Sequence, residues 1–380
     1  MPVKEKTIVD LREEAVLLIE EGLSISAVAR RYAVTRPTLY EWLKRYRNEG
    51  VKGLEDRSRA PHSNPRRTSE SIEARLIEER VRWEFGSKKI LQRLKEDEPS
   101  VEWPNRSTID CIFKRNGLVP PRRIRRPPPK TPFARRYQAK EPGELSTIDF
   151  KGQFRLQNGK YCYPLAMVDY VSRYLLACDA LDSTDLSGTW AVIKRVFQEH
   201  GLPRALHSDN GVPFGGHGNS RFSTLSVRLM KLDVQPVFSR PGQPQDNGAH
   251  ERMNRTLKEK ATLPPGRDRR DQQNKFDRFR QMFNEERPHE GIGMKRPARV
   301  YTPSPRAYPA RQPKLHYDAS FEVRKIGKNG VMKWAGKPIF IGQPFAGEFI
   351  GLVPLDYALW NVYFSRFLIG TFDEKNQVFN

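Results

Sequence analysis

The chain has 380 residues, length enough for two to four domains, and its 67 Lys and Arg against 45 Asp and Glu leave a formal net charge of +22. That excess points to a polyanion, nucleic acid before an anionic membrane surface, while 37% hydrophobic and 10% aromatic residues exclude a disordered basic chain. Cys111, Cys162 and Cys178 form no zinc-finger or CxxC spacing, and neither a signal peptide nor a membrane-spanning run is legible, so a secreted, membrane or collagen-like protein is not expected.

Residues 7–21 carry Ile8, Leu11, Ala15, Leu18 and Ile19 at helical spacing, and Gly22 stops that helix. Ser24 caps a second helix, Ile25–Arg31. A third runs from Arg36 to Arg47, with Pro37 tolerated in its first turn and Leu39, Trp42, Leu43 and Tyr46 inward. Three short helices with a tight turn before the last make a helix-turn-helix. Glu41, Lys44 and Asn48, flanked by Tyr40 and Arg45, would face a DNA major groove. The same pattern also fits a three-helix bundle that binds protein. Residues 1–52 are assigned to this domain and the Pro- and Arg-rich residues 53–68 to a linker.

A second trio follows at 69–118: Ser71–Phe85, Ser87–Asp97 and a helix capped by Asn105 that runs to Asn116-Gly117. Ile109, Ile112 and Phe113 turn inward, while Arg106, Asp110 and Lys114 turn outward, a second candidate DNA-reading surface. Residues 114–140 hold ten basic side chains, six prolines and no acid. The stretch 119–141 therefore reads as an extended cationic tether, with Arg122, Arg123, Arg125 and Arg126 along a DNA backbone or minor groove.

Beyond the tether the period changes. Leu145–Leu156, Lys160–Tyr170 and Arg173–Leu181 read as strands, with Asn158-Gly159 a hairpin turn between the first two. A helix at Asp185–Gln198, a strand at Arg204–His207, a helix at Arg221–Lys231, a strand at Val234–Phe238 and helices at Asn247–Thr262 and Gln272–Glu286 complete residues 142–300. That order predicts one mixed sheet with helices packed on it. A Pro-rich connector at 301–313 precedes recurrent short strands at 314–380, a small β-barrel or open barrel.

Three acids stand out by position. Asp149 lies mid-strand in Ser146-Thr147-Ile148-Asp149-Phe150, Asp209 at a strand end before Asn210-Gly211, and Glu251 in Pro244-Gln245-Asp246-Asn247-Gly248-Ala249-His250-Glu251. Each alone also fits a cap or a solvated surface group. Glu251, Asn254, Arg255 and Lys258 share one helix face at i, i+3, i+4 and i+7, so carboxylate and lysine point the same way. Converging carboxylates repel one another, a cost that divalent cations remove. All-oxygen ligands suit Mg²⁺ or Mn²⁺, and a pair of such ions clamps both oxygens of a phosphoryl transfer. Asp246 is a rival third ligand.

His-Ser-Asp-Asn-Gly at 207–211 together with Pro-Gln-x-x-Gly-x-x-Glu at 244–251 resembles the core of DDE transposases and retroviral integrases. With two helix-turn-helix modules ahead of that core, the chain resembles an insertion-sequence transposase over residues 10–300, and Asn284–His289 resembles the segment that closes the core in bacterial members. The resemblance implies a multidomain α+β protein with a ribonuclease-H-like catalytic core. It implies Asp149, Asp209 and Glu251 as catalytic metal ligands for two Mg²⁺ ions, with Mn²⁺ as substitute, and DNA contacts at Gln245 and Lys258. The expected partners are double-stranded DNA, at terminal inverted repeats and target, and further copies of the chain in a dimer or larger assembly. No membrane is expected as a partner, nor ATP, since no Walker motif is present. The implied location is cytoplasmic, nucleoid-associated and bacterial. A catalytically inactive, transposase-derived DNA-binding regulator is the alternative, and it would keep the same modules and charge.

Overall fold

The computed structural model describes residues 6–57, 67–119, 139–216, 221–240 and 248–380. The expected tether residues Arg122, Arg123, Arg125 and Arg126, together with Gln245 and Asp246, lie outside them. The chain divides into two bodies, Met1–Ser69 and Glu70–Asn380.

The first body holds α1 (Ile8–Glu20), α2 (Ile25–Arg31) and α3 (Arg36–Glu49). Each helix starts where a hydroxyl can accept from an otherwise orphaned N–H: Thr7 from Asp10, Ser24 from Ala27 and Thr35 from Thr38. Ala15, Val28, Ala29 and Leu39 pack as one cluster, and Val16, Leu43 and Leu54 as another. Leu54 ends a 3₁₀ turn, Gly50–Leu54, that folds back on α3. Gly53 is required there because a Cβ would meet the carbonyl of Arg45. Arg12 ties the turn to α1 by donating to the Leu54 carbonyl at 2.7 Å.

The second body begins with α4 (Glu70–Trp83), α5 (Ser87–Asp97) and α6 (Arg106–Arg115), closed around Leu76, Phe85, Ile90, Leu94, Ile109, Ile112 and Phe113. This trio is docked on the sheet domain through a buried charge network. Arg93, 6% exposed, donates to Glu79 at 3.1 Å, lies 3.4 Å from Asp97, and reaches the Glu286 carbonyl at 3.0 Å and its carboxylate. Arg296 joins it from the far side, 3.4 Å from Glu96.

The sheet comprises β1 (Leu145–Phe150), β2 (Phe154–Arg155), β3 (Tyr161–Asp169), β4 (Leu175–Leu181), β5 (Ala205–Ser208) and β6 (Gln235–Phe238). β3 pairs antiparallel with β1, β2 and β4, while β5 runs parallel to both β1 and β6. Alternation along β3 sorts the two faces. Leu165 and Met167 face the layer of α7 (Leu186–His200) and α8 (Thr224–Lys231), with Val192, Ile193, Phe197, Leu225 and Leu229. Ala166 and Val168 face α9 (Gly248–Ala261) and α10 (Arg269–Gln281), with Met253, Leu257, Phe276 and Phe279. Covering both faces is why these strands read as near-continuous apolar runs. The result is a ribonuclease-H-like α/β/α core.

Among the described residues β4 pairs only with β3, and its outer edge is covered by side chains. Gln273 of α10 accepts from the Ala180 N–H at 2.8 Å and donates to the Cys178 carbonyl at 3.0 Å. The π turn Met282–Glu286 prolongs α10 and sets Asn284 against Leu175, accepting at 2.8 Å and donating at 3.0 Å. Arg280 serves the Leu176 carbonyl at the bulge between them.

The C-terminal strands are β7 (Glu322–Lys325), β8 (Val331–Trp334), β9 (Lys337–Phe340), β10 (Phe349–Asp356), β11 (Leu359–Phe364), β12 (Phe367–Asp373) and β13 (Val378–Phe379). They form a half-barrel rather than a closed one: a curled sheet in the order β13-β12-β11-β10-β7, and β8-β9 as a separate hairpin. Tight Gly turns peel the hairpin away, since a Cβ at Gly330 would sit 2.7 Å from the Gly342 carbonyl carbon. Both pieces share one apolar core through Met332, Trp334, Ile339, Phe345, Phe364 and Phe372, and Val227 and Met230 of α8 pack into it.

Candidate active site

Strand register places the first two acids. β1 and β5 run parallel, with Thr147 opposite His207. Asp149 and Asp209 each lie two residues further on, at the carboxyl ends of neighbouring strands about 4.8 Å apart. This is where open α/β sheets form their crevices. Asp149 still belongs to β1, opposite Ala166 of β3. Asp209 lies just past β5, and its carboxylate accepts from the Gly211 N–H at 3.0 Å. Asn210 donates to the Ser239 carbonyl at 2.7 Å, which holds the turn against the end of β6.

The third acid arrives on α9. Met253, Thr256 and Leu257 are buried, while Glu251, Arg255 and Lys258 are exposed together on one side. Two contacts fix that helix to β1. His250, buried next to Glu251, places Nδ1 3.1 Å from the Thr147 hydroxyl. Asn254, one turn on, donates to Asp149 Oδ2 at 3.0 Å. Burial, with the charge of His207 beside it, lowers the His250 pKa to about 3, so the imidazole is neutral at physiological pH. His207 is itself held near the Ser239 hydroxyl, at 3.1 Å. The two histidines brace the floor of the crevice.

Asp149 is half-buried, Asp209 and Glu251 exposed. Burial first, and the charges of Asp209 and Glu251 next, push the Asp149 carboxyl up to about 7, against the opposing hydrogen bond from Asn254. All three acids are thus within electrostatic reach of one another. Among the described residues, however, no three His, Cys, Asp or Glu side chains stand close enough to hold one metal ion. The donor set suits a hard divalent cation. Its ligands are all oxygen, its mutual repulsion is what a cation relieves, and Asn254 Oδ1 is buried with no hydrogen-bond partner.

Lys258 lies near Lys151, which follows Asp149 by two residues and whose pKa is lowered by burial and by the Lys258 charge. The sequence offered no signal for Lys151, because the loop after β1 was expected to continue as strand. Asn254 was placed on the Glu251 face by helical spacing alone, and its bond to Asp149 depends on the helix docking.

The expected DNA-reading side chains differ in disposition. Tyr40 is 59% exposed, and Glu41 and Lys44 are also exposed on α3. Arg45 instead turns back to donate to the Glu55 carbonyl. On α6, Arg106 lies 3.7 Å from Asp110 in an exposed pair, and Lys114 is exposed.

Comparison with known proteins agrees with this architecture. Residues 139–244 and 232–297 each match an integrase core domain, residues 11–62 a helix-turn-helix domain and residues 38–113 a homeodomain-like domain. The chain is 30% identical over 141 residues to the Pol polyprotein of feline endogenous virus ECE1, covering 36% of this chain and 13% of that protein. It is 32% identical over 136 residues to the Pol polyprotein of radiation murine leukemia virus (strain Kaplan), covering 34% of this chain and 22% of that one. The chain thus spans less than a quarter of the length of these relatives. Among solved structures, the catalytic core domain of HTLV-2 integrase in complex with magnesium aligns at 13% identity and a TM-score of 0.34, over 43% of this chain and 99% of that one. A simian T-cell lymphotropic virus intasome in complex with a PP2A regulatory subunit aligns at 14% and 0.39, over 73% of this chain and 97% of that one. Among the described residues no helix is long and apolar enough to cross a membrane. Residues 139–297 of this chain are thus similar to integrase core domains, and the residues ahead of them to helix-turn-helix and homeodomain-like domains.

Proposed function

We propose that this chain is a DNA transposase that binds the terminal inverted repeats of its own element, cuts DNA at the element ends and joins the freed 3′-hydroxyls to target DNA. The observation that carries this is the convergence on one crevice of Asp149 and Asp209, from the carboxyl ends of adjacent parallel strands, and Glu251, from a helix bonded to Asp149 itself. Asp149, Asp209 and Glu251 would hold a pair of Mg²⁺ ions, with Mn²⁺ as substitute, which supply the charge that activates water or a 3′-hydroxyl for in-line attack at phosphorus.

The remaining work falls to the protein. Asn254 holds one Asp149 oxygen in place, and the neutral His250 anchors the helix that carries Glu251. Lys258 and Lys151 offer two ammonium groups beside the carboxylates, suited to the scissile phosphate and its neighbour. Tyr40, Glu41 and Lys44 on α3, and Arg106 and Lys114 on α6, are the proposed readers of the element ends. Arg122, Arg123, Arg125, Arg126 and Gln245 are proposed as further DNA contacts from the sequence alone. Two ends must be held together, so the active form is a dimer or larger. A bacterial, nucleoid-associated location rests only on the likeness to insertion-sequence enzymes, and the retroviral relatives lend it no support.

The test uses DNA spanning both flanks of the gene, the full chain, and Mg²⁺ with or without chelator. New 3′ ends are mapped at nucleotide resolution. Metal-dependent breaks at an inverted pair of sequences, lost in Asp209→Ala while DNA binding persists, are expected. Full cutting by Asp209→Ala sinks the assignment. Binding without breaks, in Mn²⁺ as in Mg²⁺, favours the inactive regulator.

A further inference from the structure

A second concentration of like charge lies where the helical trio meets the sheet domain, and it is positive. Phe85, at the turn before α5, is 2% exposed and has a cation on either flank. Lys89 Nζ lies 6.0 Å from the ring centroid and the Arg287 guanidinium carbon 5.4 Å. Both cations are half-buried. Lys89 has no carboxylate within ion-pair distance among the described residues, because the nearby Glu290 sits 3.6 Å from Lys88 instead. Arg287 makes one long bond, 3.5 Å, to the Thr256 hydroxyl of α9, and it feels the charges of Arg255 and Glu259 on that helix.

The backbone adds to this. α5 starts at Ser87 with Gly86 as its cap residue, and among the described residues no side chain caps it. A Cβ at Gly86 would meet nothing within 4 Å, so the approach to that helix end is open. Ser87 is 5% exposed, and no hydrogen bond to its hydroxyl is found among the described residues. A helix end with free N–H groups, a free hydroxyl and two partly desolvated cations is built to receive an anion of fixed position. Glu290 and Glu259 offset part of the repulsion between Lys89 and Arg287, and a bound anion would relieve the rest.

We propose that Gly86, Ser87, Lys89 and Arg287 form a phosphodiester-binding site that holds DNA against the helical trio. The proposal rests on the transposase reading, because it takes duplex DNA as the ligand. Between this site and the catalytic crevice, Arg255 acts on Arg287 and Lys258, exposed three residues on along α9, acts on Lys151.

The experiment measures affinity of the full chain for a 5′-labelled duplex as a function of salt. Each phosphate contact contributes about 0.9 to the slope of log affinity against log salt, so losing one weakens binding about eightfold at 0.1 M salt. Lys89→Gln should show both effects and Lys89→Arg should restore them. Exposed Lys375→Gln, which removes the same charge elsewhere, should leave the slope unchanged. Ser87→Asp keeps α5 favoured by placing a carboxylate in its first turn, yet it should weaken DNA binding at least as much as Lys89→Gln. Acylation of Lys89, read by mass spectrometry at pH 8, should be suppressed by the duplex. A wild-type slope in both Lys89→Gln and Ser87→Asp overturns the proposal, as does a change in self-association with the slope untouched. Failure of the unmodified chain to bind any duplex overturns the transposase reading instead.

Discussion

Replacing Asp149 with asparagine should stabilise the chain in chelator at neutral pH, although it removes a side chain of the candidate catalytic centre. The Asp149 carboxyl titrates at about 7 rather than 3.8 because it is buried between Asp209 and Glu251. The folded state therefore holds that proton more tightly than the unfolded chain does. Between those two values, stability falls as pH rises; below the lower one both states are protonated, and above the upper one the loss is complete. A shift of about three pKa units sets a ceiling of ~4 kcal/mol at 1.36 kcal/mol per unit. The crevice is open to solvent on the Asp209 side, and screening brings the expected gain to about 2 kcal/mol at pH 8. The Asp149→Asn side chain keeps the shape and can still accept from Asn254, so little packing changes. Urea unfolding of both proteins in chelator at pH 4, 6, 7 and 8 reads the effect. The two should differ least at pH 4 and most at pH 8, and added Mg²⁺ should raise wild type more than the variant. A variant no more stable than wild type at pH 8, or a difference that does not grow with pH, would refute the argument that like charge is concentrated at this site.

Two further outcomes follow from buried groups. His250→Gln should lose less stability than wild type when pH falls from 6.5 to 4.5, because the native imidazole resists protonation down to about 3 and the unfolded one does not; the difference, by urea midpoints, should be up to about 2 kcal/mol. Arg93→Ala takes from buried Glu79 one of its two guanidinium partners, leaving Arg75 at 3.0 Å, and removes the bonds to Glu286; it should cost about 3 kcal/mol, releasing the helical trio from the sheet domain, as read by proteolysis near residues 119–141. Arg93→Met, which fills the space but removes the same bonds to Glu79 and Glu286, should fare little better.

Much of the local structure was legible because it depends on local chemistry. Ser24 and Asn105 cap the helices they are expected to cap, each accepting from an N–H three residues on, and Asp185, the first residue of its expected helix, caps it in the same way. Asn158-Gly159 does form the turn, with Gly159 at a φ of +81°. The three acids stood out by the residues around them: Asp149 within a strand, Asp209 before Asn210-Gly211 and Glu251 after Pro244-Gln245. What stayed hidden depends on long-range docking. The strand expected to run through residues 145–156 breaks at Gly152, whose φ of +90° gives Lys151 its place by the crevice. Nothing in the sequence links Arg93 to Glu286, and only the packing of two elements 193 residues apart brings them together. Similarly, Asn254 looked like one more polar residue on an exposed face until α9 was set against β1. The C-terminal strands were visible, whereas the failure of the ladder to close depends on how the β8-β9 hairpin leaves the sheet.

The side-chain amides along β4 bear on how copies of the chain can join. Gln273 and Asn284 occupy the N–H and C=O groups that an incoming strand would need. Addition of a foreign strand there would first have to strip α10 from the sheet, along with Phe276 and Phe279. Any self-association, including the proposed assembly on DNA, is therefore channelled away from this edge and onto side-chain surfaces. Contacts made through side chains are more readily reversed by salt or dilution than a shared sheet, and under the proposed function such reversibility would suit a complex that dissociates once its DNA is joined.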